Sequence, residues 1–293
     1  MEARFMKYDN TEYWTGIHKT YEGHLQAVGH PTLCRKLNEL KYQSEGNTML
    51  DSVWGICREF RQAGKKKLSI LDVGAGTGYW SKMVYDAFDK EGFHVRATAL
   101  DMSEDALDIV RRHNPQIDTV QEDLKTINPD LFTHGFDLVI SCYCLHHLVN
   151  LDDFLNALRF VARSVSIDGF LIIMDPVLTL PFSRFDVIDF PSYQGNGIPR
   201  HLYLIEDVLV NEGLCKKEIR HAVSFLLNGN IEGYDWFSYT AASALWRALC
   251  VLVYKSESFV RLLSGILSSL DRALKGLNMA FSSSVCVCGR PTS

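Results

Sequence analysis

The sequence predicts an α/β fold built on a doubly wound, mostly parallel sheet. The first observation behind this prediction is a strand that turns directly into a helix: residues 69–73 are apolar and β-branched, and residues 79–88 have the apolar spacing of a helix that packs on a sheet. Between the two, glycines permit a tight turn and let a ligand approach the backbone, at Gly74, Gly76 and Gly78. The second observation is that another strand and another helix follow at once.

The second strand, residues 94–101, ends on the carboxylate of Asp101, and Ser103 then begins a helix. A carboxylate at this place can accept hydrogen bonds from both hydroxyls of a ribose. Two ligands satisfy this pattern, NAD and S-adenosylmethionine. Dinucleotide sites usually have the spacing G-x-G-x-x-G, which leaves one more residue for the pyrophosphate, whereas this chain has G-x-G-x-G. The spacing therefore favours S-adenosylmethionine.

Three further segments extend the pattern in chain order, namely residues 120–124, 136–148 and 168–176. With these motifs in this order, the chain resembles the class I S-adenosylmethionine-dependent methyltransferases of the small-molecule type. The resemblance covers roughly residues 68–228 and resumes at the C-terminus. It implies a Rossmann-like methyltransferase fold with seven strands in the order 3-2-1-4-5-7-6, and S-adenosylmethionine as the cofactor.

The resemblance also implies roles for residues at the strand ends. Asp72 would hold the ammonium region of the cofactor, Asp101 the ribose, and Asp123 the adenine amino group. The complete implied cofactor-binding set is Asp72, Gly74, Gly76, Gly78, Asp101, Met102, Asp123, Leu124 and Ser141.

Methyl transfer from a sulfonium depends mostly on positioning, because the donor is already activated, but a hydroxyl acceptor also needs a base. His146 and His147 follow the fourth strand, at the carboxyl edge where ligands bind in open α/β sheets. His201, at the start of the last sheet-packing helix, is a third candidate. Histidine suits proton transfer at neutral pH. A histidine pair at this place often only shapes the pocket in the resembled family, so both interpretations stay open.

The chain is expected to have four parts. Residues 1–66 form an N-terminal helical cap of two or three helices, residues 67–228 the cofactor-binding core, residues 229–280 a helical insertion, and residues 281–293 the last strand. In the resembled family such caps contribute substrate contacts, and the aromatic candidates here are Tyr13, Trp14 and Tyr21. The alternative is that these aromatics only cover the sheet edge.

The insertion separates the sixth strand, residues 216–226, from the seventh, residues 282–288. A mostly apolar helix over residues 239–254 precedes an amphipathic helix over residues 259–277, in which Asp271 lies off the apolar stripe. These helices could form a lid, a homodimer face or a surface that contacts lipid. A lid or a dimer is the commoner outcome for such a stripe.

Composition limits the partners. The net charge of −5 over 293 residues, with one short lysine run, argues against a nucleic-acid groove. The first ten residues lack the apolar core of a secretory signal, so we expect a cytoplasmic protein. We expect no metal, because the two C-x-C pairs lack zinc-ligand spacing and no cluster like that of the magnesium-dependent methyltransferases is evident.

The sequence therefore predicts an S-adenosylmethionine-dependent methyltransferase that acts on a small-molecule acceptor. The aromatic cap and apolar insertion favour a partly apolar acceptor, methylated on oxygen rather than on nitrogen or carbon. Two alternatives are an NAD-dependent oxidoreductase, which the glycine spacing disfavours, and a non-catalytic binding protein with a methyltransferase fold. The acceptor and the oligomeric state do not follow from the sequence.

Overall fold

The structure is a computed structural model of the 293-residue chain, and it describes residues 33–133, 135–178, 197–228, 236–276 and 283–291. The helices are α1 (Arg35–Gln62), α2 (Tyr79–Lys90), α3 (Glu104–His113), α4 (Leu151–Arg163), α5 (Leu202–Asn211), α6 (Phe225–Asn228), α7 (Trp236–Leu252) and α8 (Glu257–Gly276), with a 3-10 helix at Leu145–His147. The strands are β1 (Lys67–Val73), β2 (His94–Asp101), β3 (Ile117–Gln121), β4 (Phe136–Cys142), β5 (Val165–Leu178), β6 (Arg200–His201), β7 (Cys215–His221) and β8 (Ser283–Gly289).

Seven of the strands form the main sheet in the order β3-β2-β1-β4-β5-β8-β7, and the two-residue β6 pairs with β5. The first five strands of this order run parallel, while β8 is antiparallel to both β5 and β7. Once β6 is set aside, this is the strand order predicted from the resemblance. The predicted fold class, a Rossmann-like methyltransferase fold, is confirmed.

Both faces of the sheet are covered, which is why the inner strands are apolar on both sides. Ile70 of β1 packs in the core cluster formed with α1, α2 and α3, whereas Leu71 packs in the cluster formed with α4 and α5. The register pairs Val73 of β1 with Leu100 on one side and Ser141 on the other. The carboxyl ends of β1, β2 and β4 therefore meet at one edge of the sheet.

Helix α1 is a single helix of 28 residues, and the other cap helices predicted from the sequence fall on residues 1–32, outside the described residues. Its apolar side chains, such as Met49 and Val53, join the core cluster that covers one face of the sheet. Its buried surface also carries polar side chains, among them Lys41 and Glu45. Helix α1 therefore brings charged groups, as well as apolar ones, into the interior.

The predicted sixth strand was too long at its carboxyl end. β7 ends at His221, and the chain then turns into α6, which includes Leu226. The turn is fixed by long-range hydrogen bonds: Ser224 N donates to Asp271 Oδ1 at 2.7 Å, and Thr48 Oγ1 of α1 donates to Ala222 O at 3.3 Å. Because those partners are distant in sequence, local alternation could not place the end of the strand.

The predicted insertion contains α7 and α8, between β7 and β8. Tyr254, in the link between these helices, is fully buried and donates to Leu226 O at 2.6 Å. The prediction was wrong about Asp271, which lies on the buried side of α8 together with Val260 and Leu267. Among the described residues, no helix combines the length and apolar character that a membrane span requires.

Candidate active site

The glycine turn after β1 is held against two neighbouring segments. Gly74 has a φ of +73°, and its N–H donates to Leu100 O of β2 at 2.8 Å. A Cβ built on Gly74 would lie 2.1 Å from Sγ of Cys144, in the segment that follows β4. Glycine is therefore required here both for backbone conformation and for packing. Gly76 and Gly78 also have positive φ values, and Gly78 precedes the first residue of α2.

Asp101 ties the glycine turn to the end of β2. Its Oδ2 accepts a hydrogen bond from Gly76 N at 2.8 Å, and its Oδ1 accepts one from Ser103 N at 2.9 Å. A carboxylate oxygen has more than one acceptor direction, so these bonds leave capacity for the hydroxyls of a ribose. The half-buried Met102 follows, and its carbonyl accepts from Gln121 Nε2 at 3.2 Å.

Asp72 is the carboxylate with the clearest capacity for a cation. It is buried at the end of β1, where Ser81 Oγ donates to its Oδ2 at 2.5 Å. Its Oδ1 is buried and has no hydrogen-bond partner among the described residues. Burial raises the pKa of Asp72 to about 7, and the charge of Asp101 adds to this while the Ser81 hydrogen bond opposes it. A bound ammonium would satisfy the open oxygen, so the site fits the implied cofactor.

The remaining predicted cofactor residues lie at the same edge in different environments. Ser141, on β4 beside Val73, is fully buried, and its Oγ has no hydrogen-bond partner among the described residues. Asp123 is half-buried after β3, and its Oδ1 accepts from Lys125 N at 2.9 Å. The side chain of Leu124 packs in the core cluster of β1 and α4, which leaves only its backbone for a ligand.

A histidine and an aspartate form a buried pair at the ends of β4 and β5. His146 lies in the 3-10 helix after β4, and its Nδ1 is 2.6 Å from Oδ1 of Asp175 on β5. Both side chains are buried. Gly197 lies against the other edge of the imidazole, since a Cβ built on Gly197 would be 2.9 Å from Cδ2 and 3.5 Å from Nε2 of His146. A larger residue at position 197 would therefore crowd the imidazole beside Nε2.

Burial determines where the proton of this pair resides. Burial lowers the pKa of His146, and the charge of Lys41 acts in the same direction. Burial raises the pKa of Asp175 to about 8, opposed by His147 and by backbone hydrogen bonds at Leu145 and His146. Both shifts favour the uncharged forms, in which the carboxyl group carries the proton and donates it to Nδ1. When this proton is lost, the imidazole carries its own hydrogen on Nδ1, and Nε2 becomes a free proton acceptor.

The other two predicted catalytic histidines occupy different positions. The ring of His147 lies against that of His146, with centroids 3.9 Å apart, and is half-buried. His201 belongs to β6 and pairs with Leu178, three residues beyond Asp175 on β5. Its ring stacks on Tyr203, with centroids 4.9 Å apart. His146 is thus held by a buried carboxylate at the sheet edge, and the charge of His147 also acts on that carboxylate.

A second buried cluster, which sequence reasoning missed, links α1 to the end of β4. Nζ of Lys41 is 2.8 Å from Oε1 of Glu45, one helical turn further on, and Tyr143 OH donates to the same oxygen at 2.5 Å. The Lys41 ammonium also lies 4.4 Å from the centroid of the Tyr143 ring. Burial raises the pKa of Glu45, although Lys41 and Tyr143 oppose the shift. The sequence signal that could have revealed this cluster is the oppositely charged pair Lys41 and Glu45, four residues apart within an apolar helix face.

These groups surround the end of β4. Burial raises the pKa of the Cys142 thiol well above its usual value, and the charges of Asp72, Asp175 and Glu45 raise it further. The carboxylates of Asp72, Asp175 and Glu45 therefore all lie close enough to influence the Cys142 thiol.

The predicted substrate residues Tyr13, Trp14 and Tyr21 lie outside the described residues. Within the described ranges, no group of three or more histidine, cysteine or acidic side chains is arranged to hold a metal ion.

Comparisons with known proteins bear on the domain type and the fold. Residues 70–169 match a family model described as "Methyltransferase domain". Over 180 residues, or 59% of this chain, the sequence is 26% identical to 5-methylorsellinic acid synthase of Aspergillus terreus, and the chain spans only 6% of that protein's length. A candidate sarcosine dimethylglycine methyltransferase from Galdieria sulphuraria has a similar fold, with a TM-score of 0.52 and 14% identity over 83% of this chain and 85% of that one.

Proposed function

We propose that this chain, whose core is a class I S-adenosylmethionine-dependent methyltransferase domain, methylates an oxygen atom of a small, partly apolar acceptor. The match of residues 70–169 confirms the predicted methyltransferase domain and, with it, S-adenosylmethionine as the cofactor. The acceptor, the acceptor atom and the roles of individual residues belong to the proposal.

The observation that carries the proposal is the contact between His146 and Asp175. The cofactor supplies a methyl group that is already activated by its sulfonium. The protein must then hold the acceptor in line and remove the proton that a hydroxyl loses as it gains the methyl group. His146 is suited to this step because it is buried at the ligand-binding edge and a carboxylate fixes its orientation at 2.6 Å.

His146 and Asp175 have separate roles in removing the proton of the acceptor. The acceptor oxygen would form a bond to the methyl carbon as the bond from that carbon to the sulfonium sulfur breaks, so that the cofactor leaves as a neutral thioether. The acceptor's proton would pass to Nε2 of His146. Asp175, in its ionised form, accepts the hydrogen bond from Nδ1–H and stabilises the imidazolium that results. Gly197 has no side chain to cover Nε2, which would let the acceptor hydroxyl reach the base.

Aromatic rings at the same edge favour a partly apolar acceptor. Tyr79 begins α2 directly after the glycine turn, and Tyr143 directly follows β4; both are half-buried. Tyr143 OH donates to Glu45, and the charge of Glu45 also raises the pKa of Tyr79, so both rings lie around one buried carboxylate. Such an edge offers ring faces for apolar contact together with hydrogen-bonding groups for orientation.

The test is transfer of a labelled methyl group from S-adenosylmethionine to a panel of phenols and hydroxylated apolar compounds. We expect at least one O-methylated product. His146→Ala should reduce the transfer rate by about 10²- to 10⁴-fold while cofactor affinity is retained. His94→Ala is the matched control, since His94 is exposed at the opposite end of β2. Wild-type rates in His146→Ala would overturn the base assignment, and product methylated only on nitrogen or carbon would overturn O-methylation.

A further inference from the structure

Helix α7 presents an apolar surface on the side that faces away from the protein. Trp246 and Leu249, together with Val253 in the turn that follows the helix, pack inward against the cluster that includes Tyr254 and Val260. The opposite side is apolar as well as exposed: 76% of Phe237, 71% of Val251 and 72% of Leu252 remain accessible. An ordinary surface helix carries polar residues on this side.

Helix α8 repeats this arrangement. Its inward residues Val260 and Leu267 are buried in the same cluster. Two of its outward apolar residues, Leu262 and Ile266, are 78% and 59% exposed. We call the exposed apolar residues of both helices the insertion surface; they are Phe237, Leu245, Val251, Leu252, Phe259, Leu262, Ile266 and Leu270. Apolar residues exposed in this number on two consecutive helices indicate an interaction site.

The charge of the two helices indicates the kind of partner. Residues 236–276 contain five Lys/Arg and two Asp/Glu, a net +3 in a chain whose net charge is −5. Of the two acidic residues, Asp271 is buried, whereas Glu257 is partly exposed and its charge is paired with that of Arg261. Asp271 is buried and accepts from Ser44 Oγ at 2.5 Å and from Ser224 N at 2.7 Å. Glu257 accepts from Lys36 N at 3.0 Å and pairs with Arg261 at 2.9 Å. The surface charge that remains is basic.

We propose that the insertion surface rests on the face of an anionic lipid membrane. Apolar side chains on one side of a helix, with basic residues beside them, are the features that hold a helix in the membrane interface. A second copy of the chain fits less well, because a two-fold interface would place the same basic segment against itself. Helices of this kind lie in the plane of the membrane surface. Membrane contact through these helices is independent of which acceptor the protein methylates.

The test is sedimentation of the full chain with phosphatidylcholine vesicles, with and without phosphatidylglycerol. The protein should sediment with the anionic vesicles, less with the neutral ones, and less again when salt is added, because screening weakens the basic attraction. Leu262→Glu combined with Val251→Glu should weaken binding at least tenfold. Val210→Glu is the matched control, since Val210 is a 61% exposed aliphatic residue on α5.

A second pair of variants tests the charge. Lys255→Glu with Arg272→Glu should weaken binding to anionic vesicles while binding to neutral vesicles changes little. Sedimentation equilibrium shows whether a second copy of the chain covers the insertion surface instead of a membrane. A dimer that Leu262→Glu dissociates, in a protein that binds neither kind of vesicle, would overturn the proposal in favour of a second copy. A monomer that binds neither kind of vesicle would overturn it as well.

Discussion

Nδ1 of His146 lies 2.6 Å from Oδ1 of Asp175, although the two residues belong to different elements at the ends of β4 and β5. Both are buried at the edge where the glycine turn and the acidic strand ends converge. A histidine oriented in this way can take a proton from an acceptor as the acceptor is methylated. The proposed chemistry therefore depends on this contact, and the titration of the His146–Asp175 pair can be measured.

The rate of methyl transfer should rise with pH through about 8. Burial raises the pKa of Asp175 to about 8, and only the ionised carboxylate lets His146 keep its hydrogen on Nδ1 and accept a proton at Nε2. The measurement is the single-turnover rate at saturating cofactor, well below and well above that pH. Asp175→Asn should lower the rate by at least ~10²-fold and abolish the rise. A rate that is flat across this range in the wild-type protein would contradict the assignment.

Cofactor binding should release a proton from Asp72. Burial raises the pKa of this carboxyl to about 7, and a bound ammonium favours the ionised form. Below pH 7 the carboxyl must lose its proton to bind, so cofactor affinity should increase as the pH rises towards and past 7. Calorimetric titration in two buffers of different ionisation enthalpy measures the release. Asp72→Asn should remove it, whereas Asp86→Asn, an exposed acid on α2, should not.

Breaking the buried pair on α1 should be costly. Glu45→Ala leaves Lys41 charged and buried, and we expect the free energy of unfolding to fall by about 3–5 kcal/mol. The double variant Lys41→Met with Glu45→Ala should lose less than the single variant, because no charge is left without a partner. Denaturant unfolding measures both. Asp86→Ala breaks the exposed pair with Lys82 and should cost less than about 1 kcal/mol. Equal losses in the buried and exposed pairs would contradict this account.

Gly74→Ala should destabilise the protein for two separable reasons. The φ of +73° disfavours any side chain, by about 1–2 kcal/mol, and the new Cβ would meet the Cys144 side chain. Gly92→Ala isolates the first reason, since Gly92 has a φ of +83° with nothing within 4 Å of its Cβ position. Denaturant unfolding should show the larger loss for Gly74→Ala. Adding Cys144→Gly should recover the difference between the two variants; no recovery would indicate that packing against Cys144 is unimportant.

The sequence predicted that the glycine turn and Asp101 meet at one edge of the sheet, because the determinants of this arrangement are local. A strand, a glycine turn and a helix follow one another in residues 69–88, and the next strand ends at Asp101. Parallel pairing then brings the ends of these strands together without any further information. The full strand order, including the antiparallel β8, came from the resemblance rather than from periodicity.

The buried contacts around His146 could not be predicted in the same way, although His146 itself was a sequence candidate. Glu45, Tyr143 and Asp175 are separated by long stretches of chain, and nothing local indicates that they meet. The buried position of Asp271 has the same explanation, because Ser44 and Ser224 supply its partners from other elements. Periodicity assigns a charged residue to the exposed side of a helix, and tertiary hydrogen bonds can reverse that assignment.

The most direct test of the central claim is calorimetric titration of the purified chain with S-adenosylmethionine, with NAD as the control ligand. We predict saturable binding of S-adenosylmethionine alone, weakened by Asp101→Ala, because Asp101 holds the glycine turn and faces the proposed ribose position. Binding of NAD in place of S-adenosylmethionine, or unchanged affinity in Asp101→Ala, would contradict the account.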